Sequence, residues 1–167
     1  MRLLVIRHAE AEDKEAFAAM GEDDELRPLT DRGRRRMNEG AKGLRSLVAS
    51  IDLLAASPLV RAQQTAEIVA HRYGDCAVET TETLEPGTAP SRFLSWLRAQ
   101  DGNVIAIVGH EPDLGALVTW LLTGATESHV PLGKGAACLL DLGETPGKGK
   151  AMLEWAITAA QLRRLSD

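Results

Sequence analysis

The stretch Leu3-Leu4-Val5-Ile6-Arg7-His8-Ala9-Glu10 decides the fold. Four consecutive apolar residues without polar alternation predict a strand buried on both faces, the mark of a parallel sheet. The run stops at Arg7 and His8, which such a strand delivers to its C-terminal tip, where open α/β sheets gather their ligands. Taken alone, the pair also fits a strand that merely ends in polar residues. The pattern recurs, however: Val104-Ile105-Ala106-Ile107-Val108 is a second unbroken apolar run, ending in Gly109-His110-Glu111-Pro112. If the two strands are neighbours in a parallel sheet, their terminal histidines approach one another.

The intervening segments read as helices and connections of an α/β chain. Thr30 is an N-cap with Asp31 in the first turn, and Met37, Ala41, Leu44, Leu47 and Val48 recur at helical spacing, which predicts a helix over 30–49. Its Arg32, Arg34, Arg35 and Arg36 are adjacent, so they spread around the helix and read as a solvated face. Residues 51–56 read as a strand, and Ser57-Pro58 as the N-cap and first position of a helix over 58–73. Arg61 falls in its first turn, where the helix dipole disfavours a cation by ~0.3–1 kcal/mol, a cost that a bound anion offsets.

A short strand is expected at 76–80, a loop at 81–90 and helices at 91–99 and 113–123. Two strands at 136–142 and 151–157 follow, joined by a hairpin loop and trailed by a short helical tail from Ala159. That loop, Gly143 to Lys150, lacks the G-x-x-x-x-G-K-[ST] spacing of a nucleotide-binding loop. The charge-rich segment 11–29, with a short helix near 14–20, reads as a surface connection long enough to edge a site.

Composition bounds the function. With 167 residues and 44% hydrophobic content, one globular domain spanning 1–167 is expected. A net charge of -5 gives no general pull toward nucleic acid or anionic membrane, so anion binding must be built locally. Cys76 and Cys138 show neither disulfide nor zinc spacing and are expected as reduced, mostly buried thiols. No apolar run reaches signal-peptide or membrane length, so a cytoplasmic protein is expected; a monomer is the expected state.

Arg7, His8, Arg61 and His110 form a set with a definite chemistry. Two guanidinium forks stabilise the spread charge of a phosphoryl group in transit. The same cations repel a divalent metal, which argues against a metallohydrolase despite nearby Glu10, Glu111 and Asp113; no metal or other cofactor is expected. What remains is nucleophilic, since neutral imidazole attacks phosphorus.

Arg7-His8-Ala9-Glu10-Ala11, Arg27-Pro28-Leu29-Thr30 with Gly33, Ser57-Pro58-Leu59 with Arg61-Ala62-Gln63-Gln64-Thr65-Ala66, and Val108-Gly109-His110-Glu111-Pro112 together resemble the histidine phosphatase superfamily. In order, spacing and length they are similar to its small SixA-type phosphohistidine phosphatases. The resemblance implies a phosphoglycerate mutase-like, three-layer α/β/α sandwich around a mostly parallel sheet. It implies His8 as nucleophile, with Arg7, Arg61 and His110 as the phosphate pocket. The family's usual Arg-His-Gly is Arg7-His8-Ala9 here, so Ala9 must tolerate the backbone conformation required.

Larger relatives take a general acid from a carboxylate before the third helix, and by position Glu82 is the candidate, with Glu85 behind it. An acid matters most when an alkoxide must depart, and less when the leaving group is an imidazole. The resulting expectation is a phosphatase for protein phosphohistidine. The alternatives are a small-molecule phosphomonoesterase of the same superfamily and a non-catalytic phosphoprotein-binding domain. Lys134, His71 and His129 are expected to face water.

Overall fold

A computed structural model describes residues 1–166. The elements run β1 (Arg2–Arg7), α1 (Lys14–Ala19), α2 (Asp31–Leu47), β2 (Leu53–Ala56), α3 (Val60–Arg72), β3 (Val78–Thr80), α4 (Pro90–Leu97), β4 (Val104–Gly109), α5 (Asp113–Thr123), β5 (Ala137–Asp141), β6 (Met152–Ile157) and α6 (Ala159–Arg164). Two single 3-10 turns, Asp24–Leu26 and Glu82–Leu84, interrupt the connections. The strands form one sheet in the order β3-β2-β4-β1-β5-β6. β1, β2, β3 and β4 are mutually parallel, while β5 is antiparallel to both of its neighbours, so β5 alone is reversed.

The unbroken apolar runs divide their residues between the two faces of this sheet, as the period of 2 requires. Leu4, Ile6, Ala106, Val108 and Leu139 share a core with Met37 and Leu44 of α2, Val69 of α3 and Leu162 of α6. Leu3, Val5, Ile105, Ile107 and Leu140 share the opposite core with Phe93 and Leu97 of α4 and Leu117 and Leu121 of α5. Helices therefore cover both faces, and the architecture is the expected three-layer α/β/α sandwich. Each fully buried leucine or isoleucine contributes about 1.5–3 kcal/mol, so these two cores hold the strand tips in place.

The C-terminal helix α6 is fastened by a capping box between Thr158 and Gln161 and lies against α2. A side chain at Gly43 of α2 would collide with the Leu162 carbonyl, so this close approach requires glycine.

Two expectations need correction. The helix after β2 begins at Val60 rather than Pro58, and Ser57 does not cap it. The Ser57 hydroxyl is drawn instead to His110, 2.8 Å away. Of the two free cysteines, Cys138 is buried but Cys76 is partly exposed, near the start of the short edge strand β3. Among the described residues, no helix is long and apolar enough to cross a membrane.

Candidate active site

β1 and β4 pair in parallel with Arg7 opposite Gly109, so the next residues, His8 and His110, leave the sheet side by side. Their ring centroids lie 5.2 Å apart, and the residues are 6% and 4% exposed. His8 Nδ1 lies 2.7 Å from the Ala9 carbonyl oxygen. A carbonyl only accepts, so Nδ1 carries the proton and Nε2 keeps its lone pair. Burial pushes the His8 pKa down to about 4, opposed by the Ala9 carbonyl and reinforced by Arg61, Arg7 and Arg27. His8 is therefore a neutral imidazole at pH 7. Burial, then the neighbouring His8 and Arg61, bring His110 down to about 3.

The first two turns of α3 bind the site together. Arg61 is 5% exposed. The Gln63 amide donates to the Ser57 carbonyl at 2.7 Å, clipping the helix start to the end of β2. The Gln64 side-chain oxygen accepts from Leu29 N–H at 2.8 Å, and the Thr65 hydroxyl accepts from Ala9 N–H at 3.1 Å. One helix thus holds both the segment after β1 and the segment before α2. Ala9 is buried and its φ is not left-handed, so the methyl group in place of the family's glycine costs no backbone strain.

The segment between β1 and α2 is an excursion that closes on itself through an antiparallel bridge between Ala11 and Leu29. At its base Gly33 lies against the Glu10 carbonyl so closely that any Cβ would collide. The excursion edges the site as expected, and it also supplies a residue that sequence reasoning missed. Asp24 accepts from Arg61 twice, through its backbone carbonyl at 2.8 Å and its carboxylate at 3.1 Å, and from Arg27 Nε at 2.8 Å. Partial burial raises the Asp24 pKa, but the Arg27 hydrogen bond and the charges of Arg61, Arg27 and Lys14 outweigh it, leaving Asp24 below its ordinary value. The only local signal was an Asp-x-x-Arg pair, Asp24 and Arg27, inside a stretch dense in charge.

On the other side, Arg7 Nη1 donates to the Leu132 carbonyl at 2.8 Å, while Leu132 N–H donates to Glu111 Oε1 at 2.7 Å. Glu111 and Arg7 therefore grip the backbone of the same residue, Leu132, from its two sides. Burial lowers the pKa of both Arg7 and Arg61, opposed by Glu111 and Asp24 respectively.

Arg7, His8, Arg61 and His110 line one open cavity of about 840 Å³, together with Glu12, Asp24, Arg27, Glu111 and Lys134. Three buried atoms around it have no hydrogen-bond partner: Arg7 Nε, Arg61 Nε and His110 Nδ1. Lys134 was expected to face water; it is exposed, and it also forms part of this cavity's rim. Glu82 and Glu85 do not line the cavity. Glu82 is exposed and 3.4 Å from Arg92, and Glu85 borders a smaller neighbouring depression beside His110. His71 and His129 are exposed, with His71 paired to Asp75. Among the described residues, no three His, Cys, Asp or Glu side chains converge as a metal ligand set.

The chain is similar to several known proteins. Residues 3–85 match the sequence profile of the Histidine phosphatase superfamily (branch 1). An uncharacterised protein of Picosynechococcus sp. is 35% identical over 138 residues, 80% of this chain and 81% of that protein. Phosphohistidine phosphatase SixA of Escherichia coli (strain K12) is 26% identical over 171 residues, 98% of this chain and 97% of that protein. The structure of the protein histidine phosphatase SixA complexed with tungstate superposes with a TM-score of 0.82 at 24% identity, over 97% of this chain and 99% of that one. The chain belongs to the histidine phosphatase superfamily, a family of phosphatases, and its likeness to SixA-type members extends over nearly its whole length.

Proposed function

We propose that this chain is a protein phosphohistidine phosphatase that works through a phosphohistidine on His8. The observation that carries the reading is a neutral His8, its lone pair on Nε2, set in a cationic pocket that neither Glu82 nor Glu85 enters. Nε2 attacks the phosphorus in line as the phosphorus–nitrogen bond of the substrate breaks, and the departing imidazole takes up a proton from solvent water through the open cavity. Arg7, Arg61 and His110 hold the phosphoryl oxygens. Their buried, unpartnered Nε and Nδ1 atoms are suited to donate there, where charge spreads in the transition state. When the Ser57 hydroxyl donates to His110 Nε2, 2.8 Å away, Nδ1 carries the proton and is the donor of the ring. Water then attacks the phosphorus, breaks the bond to His8 and releases phosphate, restoring the neutral imidazole.

Of the carboxylates that line the cavity, the two that engage the phosphate-pocket arginines or their supports, Asp24 and Glu111, are poorly suited to protonate an alkoxide. Asp24 is held anionic by two arginines, and Glu111 is engaged with Leu132 N–H. General acid catalysis is worth about 10²–10⁴-fold, and an imidazole leaving group gives up little by its absence. The resemblance to a phosphohistidine phosphatase over nearly the full chain supports the same substrate class.

A substrate panel tests this reading. A phosphohistidine protein should be turned over at least about a hundredfold faster, by kcat/KM, than sugar phosphates or a phosphoserine peptide. Comparable turnover of the esters, lost on replacing Glu82 or Glu85, would instead establish a small-molecule phosphomonoesterase.

A further inference from the structure

A second cavity, about 350 Å³ in volume, lies beside the first between α2, α6 and the loop that leads into β5. Glu10 and Lys134 line both, so the two adjoin. Its floor is made of small and apolar groups, including Gly33, Gly40 and Ala136. Its rim is charged. The four arginines near the start of α2 part company: Arg34 and Arg35 face a groove shared with α3, whereas Arg32 and Arg36 turn toward Glu10, each 3.9 Å from its carboxylate. Arg36 is joined at the second cavity by Lys134 and by Arg163 of α6, which lies 4.0 Å from Glu39. Three cations, Arg36, Lys134 and Arg163, thus line this cavity with one carboxylate, Glu10, on a chain whose net charge is -5. Arg32 and Arg36 remain solvated there, 58% and 44% exposed, as expected of this face.

We infer that this groove receives an acidic segment of the phosphoprotein substrate, next to the phosphohistidine whose phosphoryl group enters the His8 pocket. The inference rests on the proposed phosphohistidine activity and extends it to partner selection. Charge complementarity argues for an acidic occupant, since cationic rims steer and hold anionic partners. Adjacency argues for the same molecule in both cavities, because a chain whose phosphohistidine reaches His8 must leave across Glu10 or Lys134 to enter this groove. The floor of small residues leaves room for side chains of that segment.

The test compares wild type with an Arg36→Glu/Arg163→Glu double variant. The substrates are two phosphohistidine peptides of equal length, one flanked by glutamates and one by lysines, and phosphoimidazole, which is too small to reach the groove. Wild type is expected to show a KM roughly tenfold lower for the glutamate peptide at similar kcat, a preference that fades at high salt. The double variant loses or inverts that preference while phosphoimidazole turnover stays unchanged. An Arg36→Ala/Arg163→Ala pair abolishes the preference without inverting it, which separates charge from disturbed folding. Equal KM for the two peptides in wild type, or a preference that survives charge reversal, overturns the groove assignment and leaves phosphohistidine hydrolysis standing. A loss on phosphoimidazole as large as on the peptides overturns it as well, by placing the damage in the shared pocket. If wild type hydrolyses neither peptide, the phosphohistidine reading itself fails, and the groove assignment with it.

Discussion

The two halves of the pocket are built in different ways. Arg7, His8 and His110 project from the tips of β1 and β4, whose every interior residue is buried on one face or the other. Arg61 is set from the opposite side by Asp24, a residue of a single 3-10 turn in a charged excursion with no buried residue in that turn. The strand-borne half is positioned by the core, whereas Arg61, carried by the core helix α3, has its guanidinium set by a few polar contacts from the excursion. Rigidity should therefore be high in the first and modest in the second, and substitutions should separate them.

The largest effect belongs to the strand-borne half. His8→Ala should lower turnover by about 10⁴-fold or more, with the fold intact by circular dichroism and with phosphate still bound. Arg61→Ala should follow, with kcat down about 10²–10³-fold; Arg61→Lys should recover little, because a point charge does not reproduce the fork. Asp24→Ala should cost roughly tenfold in kcat, since Arg61 keeps the Asp24 backbone carbonyl but loses the carboxylate. Its affinity for inorganic phosphate should not fall, because a negative charge has left the pocket. A loss as large as that of Arg61→Ala would show that the excursion is as rigid as the strands.

Legibility follows the same division. β1, β4 and the histidines at their ends stood out because a run of four or five apolar residues is a local pattern with one reading in an α/β chain. The helix borders were nearly right wherever a side chain caps them, as at Thr30 and Thr158. The start of α3 was misplaced because Ser57, which looks like an N-cap, is committed to His110, a residue 53 positions away. Asp24 and Glu111 stayed hidden for the same reason. Each acts through contacts set by tertiary structure, Asp24 on Arg61 and Glu111 on the Leu132 N–H; Asp24 lies in no motif, and Glu111, though it lies in the stretch Val108 to Pro112, shows nothing there of its partner. The excursion was recognised as functional in kind from its length, but not residue by residue.

Acid sharpens the comparison further, because the buried histidines belong to the strand-borne half. An unfolded histidine takes up a proton near pH 6.5, whereas folded His8 and His110 resist it to about 4 and about 3. Below pH 6.5 the unfolded chain binds more protons, so stability contributed by these residues is present above 6.5 and lost as pH falls toward 4. The loss is on the order of 2–3 kcal/mol for each histidine, and chemical denaturation of His8→Asn between pH 6.5 and 4.5 should show a shallower decline than wild type. In kinetics, the acid limb of kcat/KM assigned to His8 should fall near pH 4 rather than 6.5.

The smallest effects are expected outside both halves. Ala9→Gly and Glu82→Gln should each change phosphohistidine turnover by less than about threefold, since Ala9 needs no left-handed φ and Glu82 is an exposed partner of Arg92.

The most direct test is a rapid, acid-free quench of wild type and His8→Ala after mixing with a protein labelled at phosphohistidine. The expected result is acid-labile phosphate mapped to His8 in wild type and none in the variant. No enzyme-bound label with several donors, from a folded wild type that releases no phosphate, would contradict His8 as nucleophile and leave a phosphoprotein-binding pocket in its place.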